Sequence, residues 1–274
     1  MKDKRKKNII FACDDKGGVG KSTASGCIAD AATAMGYTVR LIDADPENTT
    51  LSKMFEQGVT CIEACAETFQ ATLEDLSIMT EDFAIVDLPG AASAFFKDYF
   101  SRNSRAAFDE MGLRIIIAVT VCETRGALDG AKKWVEMFGD MFEFIAVINE
   151  KDTALNMQFD LNNYNTGQIV MEYALNHHVR IPRMIDHLRK MYDRWYGAPL
   201  DFIPRGRLAV KHKLSPLSTG QWNVHRDKII RSVALEIEWL AGRPIPTPID
   251  SIASPNPAED PARMARMARL HQED

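Results

Sequence analysis

The chain has 274 residues, of which 46% are hydrophobic and 26% are charged, so it is long and apolar enough for one large α/β domain or two small ones. The formal net charge of −5 argues against a surface coated with nucleic acid, although a local basic patch is compatible with it. The scattered cysteines, the lack of a signal-like segment and the lack of a membrane-length apolar run predict a cytoplasmic protein.

Short apolar runs alternate with helical stretches along the chain. Strands are predicted over residues 9–12, 39–42, 83–86, 114–119 and 144–148, with a weaker one over 200–203. Helices are predicted over 22–35, where Gly36 would end the helix, and over 126–138 and 223–240. This alternation predicts a doubly wound, mainly parallel sheet flanked by helices, with the ligand site beyond the carboxyl ends of the strands.

The first predicted strand leads into the glycine-rich segment KGGVGKST, residues 16–23, and then into the first predicted helix. This context predicts a phosphate loop, because glycines let backbone N–H groups approach a phosphate and the helix N-terminus adds its positive end. Lys21 would reach the β- and γ-phosphates, and the Ser22 hydroxyl would ligate Mg²⁺. The residues expected at the nucleotide are Gly17, Gly18, Val19, Gly20, Lys21, Ser22 and Thr23.

Two further predicted strands end in acidic residues. The segment LIDADPE places Asp43 and Asp45 at the end of the second strand, and FAIVD ends in Asp87. If the extended conformation continues, Asp45 lies on the same side as Asp43. Such carboxylates suit Mg²⁺, its waters and an attacking water, whereas a solvated acidic turn explains LIDADPE taken alone. Three motifs at successive strand ends predict a site for ATP and Mg²⁺.

The segments KGGVGKST, LIDADP and FAIVDLPG resemble the deviant Walker A, Walker A′ and Walker B motifs of the ParA/MinD family of P-loop ATPases. The likeness covers residues 8–90 and extends more faintly to about residue 240. It implies a slow ATP hydrolase with the P-loop NTPase fold of the deviant Walker A class. The ATPase domain would span 8–242, between a basic extension (1–7) and a Pro-rich linker and tail (243–274).

The resemblance also implies roles for single residues around the phosphates. Lys16, directly before the glycine pair, matches a lysine that crosses a dimer interface to the partner subunit's nucleotide, so ATP would induce a homodimer. Asp45 matches the acid that positions the hydrolytic water. Asp43 and Asp87 match acids around Mg²⁺.

The resemblance is less close around the base and before Lys16. Asn149 matches an asparagine that reads the adenine edge, and the backbone near Pro204 and Arg205 matches the adenine-flanking loop. Asp14 and Asp15 replace the more common polar pair before the lysine. These two carboxylates would either hold Lys16 ready or slow nucleotide binding and hydrolysis.

A basic cluster over residues 177–213 holds nine Lys or Arg against three acids. It predicts non-specific DNA binding, as partition ATPases of this family show, although a solvated helix face with loop lysines explains it equally well. The tail sequence ARMARMARLHQED is read first as frayed, then as a partner-docking helix, and third as a weak membrane contact through 262–270.

Three functions are compatible with these motifs. The first is an ATP-sandwich dimer that acts as a switch in plasmid or chromosome partition or in DNA positioning, with a partition protein as partner. The second is an accessory ATPase of conjugative DNA transfer, with a conjugation component as partner. The motifs do not separate these two. The third, of a different class, is a MinD-like membrane-associated positioning factor.

Overall fold

Seven parallel strands organise the part of the chain that the computed structural model describes, which is residues 6–55, 58–154, 157–186, 188–190 and 215–241. In chain order they are β1 Lys7–Cys13, β2 Val39–Asp43, β3 Val59–Cys61, β4 Phe83–Asp87, β5 Leu113–Val121, β6 Glu143–Asn149 and β7 His178–Ile181. Their order in the sheet is β3-β2-β4-β1-β5-β6-β7, and every neighbouring pair is parallel.

The described helices connect these strands. They are α1 Lys21–Ala34, α2 Thr50–Met54, α3 Ala66–Ser77, α4 Ser93–Arg102, α5 Arg105–Glu110, α6 Arg125–Phe138, α7 Asn165–Tyr173 and α8 Pro216–Leu240. Short 3₁₀ turns follow β6 at Glu150–Asp152 and precede α7 at Leu161–Asn163. Within the described ranges, no helix is long and apolar enough to span a membrane.

Both faces of the sheet are covered, which explains the continuous apolar runs in the sequence. Alternate residues of β1 point to opposite faces: Phe11 packs in a cluster with α3, α4 and α6, and Ile10 packs in a second cluster with α1 and α8. The predicted doubly wound, parallel α/β fold is therefore confirmed.

The sequence patterns missed two strands, the start of helix α8 and five described helices, α2, α3, α4, α5 and α7. The edge strand β3 has only three residues, and β7 has four that alternate between buried and half-buried. Helix α8 begins at Pro216 rather than at 223, because the Ser215 side chain caps it by accepting from Ser218 N at 3.1 Å. The weak strand predicted over 200–203 lies outside the described residues.

The described residues all fall within a compact unit that spans Met1–Gly242. The predicted linker and tail, residues 243–274, lie outside the described part of the chain, as do residues 1–5 of the predicted basic extension. The proposed domain boundaries therefore stay a prediction.

Strand order places the functional motifs together. The chain moves from β1 to one side of the sheet for β2, β3 and β4, and then crosses to the other side for β5, β6 and β7. The crevice at this change of direction, beyond the carboxyl end of β1, is where open α/β sheets bind ligands. Register pairs Ala12 with Asp87 and Asp43 with Asp87, so the three motif-bearing strand ends are adjacent.

Candidate functional site

The glycine-rich segment 16–23 forms the turn between β1 and α1. Gly18 and Gly20 have φ angles of +77° and +100°, a backbone conformation that favours glycine. Gly20 is also the N-cap of α1, so no side chain caps the first turn of this helix. The backbone N–H groups of that turn therefore remain available to an anion.

Asp87 ends β4 and is 1% exposed. It accepts a hydrogen bond from Ser25 Oγ at 3.3 Å and another from the Ser22 side chain. Burial raises the pKa of Asp87 to about 7, and Asp43 on the neighbouring strand adds to this, whereas Ser22 and Lys21 oppose it. The carboxylate is thus buried with too little positive charge around it. A divalent cation would supply the missing charge.

Asp43 ends β2 and is held by its own chain. Its Oδ2 accepts hydrogen bonds from the backbone N and the Oγ of Ser52, both at 2.9 Å, and its Oδ1 accepts from Asp45 N at 3.1 Å. Strand β2 ends at Asp43, and a bond from the backbone N of residue i+2 back to an Asp carboxylate is typical of a turn. Asp45 is half-buried and accepts from Asn48 N at 3.0 Å.

The donor set at these strand ends fits one particular kind of metal ion. Among the described residues, no group of three or more His, Cys, Asp or Glu side chains is placed to bind a metal. Ser22, Asp43 and Asp87 therefore do not form an all-protein cage. Mg²⁺ usually keeps several waters and takes one or two carboxylates together with phosphate oxygens, so these residues fit Mg²⁺ bound with a nucleotide.

Asp15 ties the phosphate loop to two helices. Its carboxylate forms an ion pair with Lys133 and accepts from Trp134 Nε1 at 3.1 Å, both on α6, and from Ser93 Oγ at 2.5 Å on α4. Burial by itself would raise the pKa of Asp15, but the hydrogen bonds from Lys133 and Ser93 outweigh it and hold the pKa below its ordinary value. The charge of Asp15 is thus balanced by Lys133.

Asp14 is fully buried at the end of β1. Its Oδ1 accepts from the backbone N of Lys16 at 2.5 Å, and its Oδ2 has no hydrogen-bond partner among the described residues. Burial raises the pKa of Asp14 to about 7, although the hydrogen bond from Lys16 and the charge of Lys21 oppose it. Asp14 therefore shapes the backbone that carries Lys16.

The Lys16 side chain lies on its own chain. Its Nζ donates to Thr124 Oγ1 at 3.1 Å, next to the first residue of α6, and its end lies over Gly126. The contact with a partner subunit stays a prediction.

Asn149 ends β6, is 4% exposed, and contacts the phosphate loop. Its Nδ2 donates to the carbonyl of Val19 at 2.9 Å, and its Oδ1 accepts from Lys151 N at 3.2 Å. Lys151 Nζ donates in turn to the carbonyl of Gly18. Asn149 and Lys151 thus hold the loop against the end of β6, a contact that the adenine-reading prediction did not include.

A cavity opens beside the loop, between the ends of β6 and β7 and the helices α1 and α8. Gly20 and Asn149 line one side, Pro182 and Met184 follow β7, and His225 of α8 lines the far side. Burial lowers the pKa of His225 to about 4, so this side chain is neutral at pH 7. The described lining is mostly apolar and holds no Asp or Glu, which suits a heterocyclic base. The predicted flanking residues Pro204 and Arg205 lie outside the described residues.

The described part of the basic cluster makes contacts within the chain. Arg180 pairs with Glu150 at 2.9 Å, and Arg183 pairs with Asp186 at 2.8 Å. These pairs reduce the charge that this part of the cluster would offer to a polyanion. The other predicted DNA-contacting side chains that fall outside the described residues are Arg194, Arg205, Arg207, Lys211 and Lys213.

Several residues at the site were not predicted from the sequence: Ser25, Ser52, Ser93, Thr124, Lys133, Trp134 and Lys151. Only Ser25 had a local signal, because it follows Ser22 by three residues on the predicted α1 and so shares a helix face with it. Ser52 contacts Asp43 nine residues before it, and the others reach the loop or the residues before it from distant parts of the chain.

The comparison with protein families gives one match. The model described as the CobQ/CobB/MinD/ParA nucleotide binding domain matches residues 10–207, which is well over half of the chain. No curated protein matches the chain.

Solved structures of MinD proteins have a similar fold. The MinC:MinD cell division protein complex from Aquifex aeolicus matches at 17% identity with a TM-score of 0.52, over 87% of this chain and 98% of that chain. The septum site-determining protein MinD from Pyrococcus horikoshii OT3, complexed with Mg-ADP, matches at 15% identity with a TM-score of 0.51, over 86% of this chain and 98% of that chain. At these identities the likeness is one of fold.

Proposed function

The chain belongs to the family of CobQ/CobB/MinD/ParA nucleotide-binding domains, and from this premise we propose that it is a slow, Mg²⁺-dependent ATPase that dimerises around ATP. The observation that carries the proposal is the position of the buried, under-neutralised Asp87 beside Ser22 and the uncapped N-terminus of α1. The Mg-ADP in the Pyrococcus MinD structure supports the same class of ligand.

In this proposal each part of the site has one task. The N–H groups of the loop and Lys21 hold the phosphates, and Ser22 and Asp87 hold Mg²⁺, with Asp43 fixing the turn beside them. The bound Mg²⁺ would neutralise charge on the phosphate oxygens. Asp45, half-buried beside this turn, orients the attacking water with the carboxylate oxygen that Asn48 N does not occupy.

The nucleoside would occupy the cavity beside Gly20. Its described lining offers donors from Asn149, Lys151, Arg189 and a neutral His225 but no carboxylate. Adenine presents ring-nitrogen acceptors, whereas guanine presents N–H donors that a carboxylate would recognise. We therefore assign adenine to this cavity, with Pro182 and Met184 against one side of the base.

The cellular role that we propose is a nucleotide-dependent switch in DNA partition or positioning. Its DNA-binding part rests on the basic cluster, to which Arg180 and Arg183 would contribute less because they are paired within the chain. The exposed Lys190 and the basic residues that follow it would provide most of the phosphate contacts.

The Lys16→Ala variant tests the dimer. We expect its ATP affinity to stay within about threefold of the wild-type value, because Lys21 and the loop backbone remain. The ATP-induced dimer should weaken roughly tenfold or more, because one charged contact to the partner's nucleotide is lost at each of two equivalent sites. Light scattering with ATP under conditions that block turnover measures the dimer.

Lys132→Ala is the matched control for this variant. Lys132 lies on α6 and pairs with Glu136 one turn away at the surface, so its loss should leave dimerisation unchanged. Equal dimerisation of wild type and Lys16→Ala would contradict the role of Lys16 in a second subunit.

A further inference from the structure

Three consecutive residues of the phosphate loop contact one helix. Asp15 pairs with Lys133 of α6. The Asp14 carboxylate lies so close to Gly130 that a β-carbon there would be 2.7 Å from Oδ1, and the end of the Lys16 side chain lies against Gly126. Gly126 and Gly130 are four residues apart, so they lie on one face of α6.

The contact between Lys16 and Gly126 is possible because glycine has no side chain. A β-carbon at Gly126 would lie 3.1 Å from Lys16 Cδ and 3.2 Å from Nζ, closer than ordinary van der Waals contact. Gly126 is exposed, and its φ angle is negative, so the backbone itself does not require glycine. The absence of a side chain here gives room to the lysine.

Thr124 completes the position of the lysine. It is the N-cap residue of α6, a place where threonine hydroxyls usually accept from the first turn of the helix, yet it makes no such side-chain bond. Its Oγ1 accepts from Lys16 Nζ instead. The hydroxyl is therefore directed to the lysine.

The electrostatics make this position easy to leave. The positive Nζ lies at the N-terminus of α6, where the helix dipole is also positive, and the first turn of α6 has no acidic residue to compensate. One exposed hydrogen bond and the charge of the nearby Asp14 thus hold Lys16 against the field of the α6 dipole. Anionic phosphates would be a better partner.

We infer that Thr124 and Gly126 are positioning residues that hold Lys16 on its own subunit, and that this contact competes with the contact to the partner's nucleotide. The inference rests on the proposed role of Lys16 in an ATP-bound dimer. Each protomer must release its lysine before the dimer closes, so weakening the hold should strengthen dimerisation without any new contact between subunits.

Gly126→Ala is the direct test. The new methyl group displaces the flexible end of Lys16 and leaves the backbone unchanged. We expect the dimer dissociation constant in ATP to fall roughly threefold per protomer, and so about tenfold for the dimer, the range of a single exposed contact. Thr124→Val, which removes the acceptor and no helix cap, should act in the same direction.

Gly220→Ala is the matched control, because Gly220 lies near the start of α8 and a β-carbon there meets nothing within 4 Å. It makes the same chemical change in a helix that Lys16 does not touch, so dimerisation should not change. If Gly220→Ala strengthens the dimer as much as Gly126→Ala does, the effect belongs to helix propensity and the inference is overturned.

A second measurement is independent of the dimer. The acylation rate of Lys16 by acetic anhydride, followed by mass spectrometry in nucleotide-free protein, should rise two- to threefold in Gly126→Ala. If the reactivity of Lys16 is unchanged, Thr124 and Gly126 do not position its side chain. If the reactivity rises but dimerisation is unchanged, the intrachain contact does not compete with the contact to the partner's nucleotide. If the wild type dimerises in ATP and Lys16→Ala does not, but Gly126→Ala and Thr124→Val match the wild type, the inference fails while the proposed function stands.

Discussion

The Lys21→Ala variant is expected to bind ATP about 100-fold more weakly than the wild type and to lose turnover, the largest functional effect that we predict. Lys21 is the first residue of α1 and is 9% exposed. A hydrogen bond from a buried cation to phosphate is worth more than an exposed one, because water competes less for the charge.

The measurement is ATP affinity by calorimetry with and without Mg²⁺, together with a thermal melt of the free protein. The melt is needed because the Lys21 charge stabilises the ionised forms of Asp14 and Asp87 and so lowers their pKa values. Removal of this charge should therefore also destabilise the fold. Lys132→Ala controls for the loss of a lysine as such. ATP affinity of Lys21→Ala within threefold of the wild type would remove the phosphate-loop assignment.

The sheet could be predicted from the sequence because its strands are buried on both faces. Runs such as Ile115–Val119 carry their own signal, since no polar residue interrupts a strand that is covered on both sides. The motifs at the carboxyl ends of these strands could be predicted too, because each one directly follows such an apolar run. Strand β7 could not be found this way, because it is a four-residue edge strand whose pattern resembles that of a loop.

The contacts around the loop could not be predicted from the sequence for a different reason. Asp15 meets Lys133 and Trp134 more than a hundred residues further along the chain, and local pattern does not encode such pairs. The two acids before Lys16 were expected to act on the lysine together. Their surroundings differ, because Asp15 pairs with Lys133 whereas Asp14 is buried against Gly130, although the charge of Asp15 still raises the pKa of Asp14.

Asn149 and Gly126 are two further residues whose contacts could not be predicted from the sequence. An asparagine at a strand end is compatible with base recognition and with a turn, and its contact with the Val19 carbonyl became visible only in three dimensions. Gly126 looked like an ordinary residue at the start of a predicted helix. Its meaning comes from the Lys16 side chain that lies over it.

Asp14 gives the second large prediction, which concerns the pH dependence of folding. Its pKa is about 7 in the folded protein and 3.8 in the reference state. The folded protein therefore keeps this proton to higher pH than the unfolded chain does. The free energy of unfolding must then fall as pH rises from about 4 to about 7, because ionising the buried carboxyl costs more in the folded state.

Asp14→Asn should remove this dependence. The amide oxygen can still accept from Lys16 N, and no charge needs to be buried at any pH. Between pH 5 and pH 8 the wild type should lose about 2 to 3 kcal/mol more stability than the variant, as urea unfolding at the two pH values would measure. Asp87 adds a similar slope, but it is present in both proteins and cancels in the comparison.

Asp15→Asn is the matched control, because the neighbouring acid has its pKa shifted in the opposite direction. A carboxyl with a lowered pKa is ionised in both states above pH 5, so its stabilising ion pair with Lys133 is present at pH 5 and at pH 8 alike. Asp15→Asn should therefore lower stability at both pH values and keep most of the slope between them, because it removes only the part of the Asp14 pKa shift that the Asp15 charge causes. An unchanged slope in Asp14→Asn, by contrast, would mean that the Asp14 carboxylate is ionised in the folded protein at pH 5 and has found the partner for Oδ2 that the described residues do not supply.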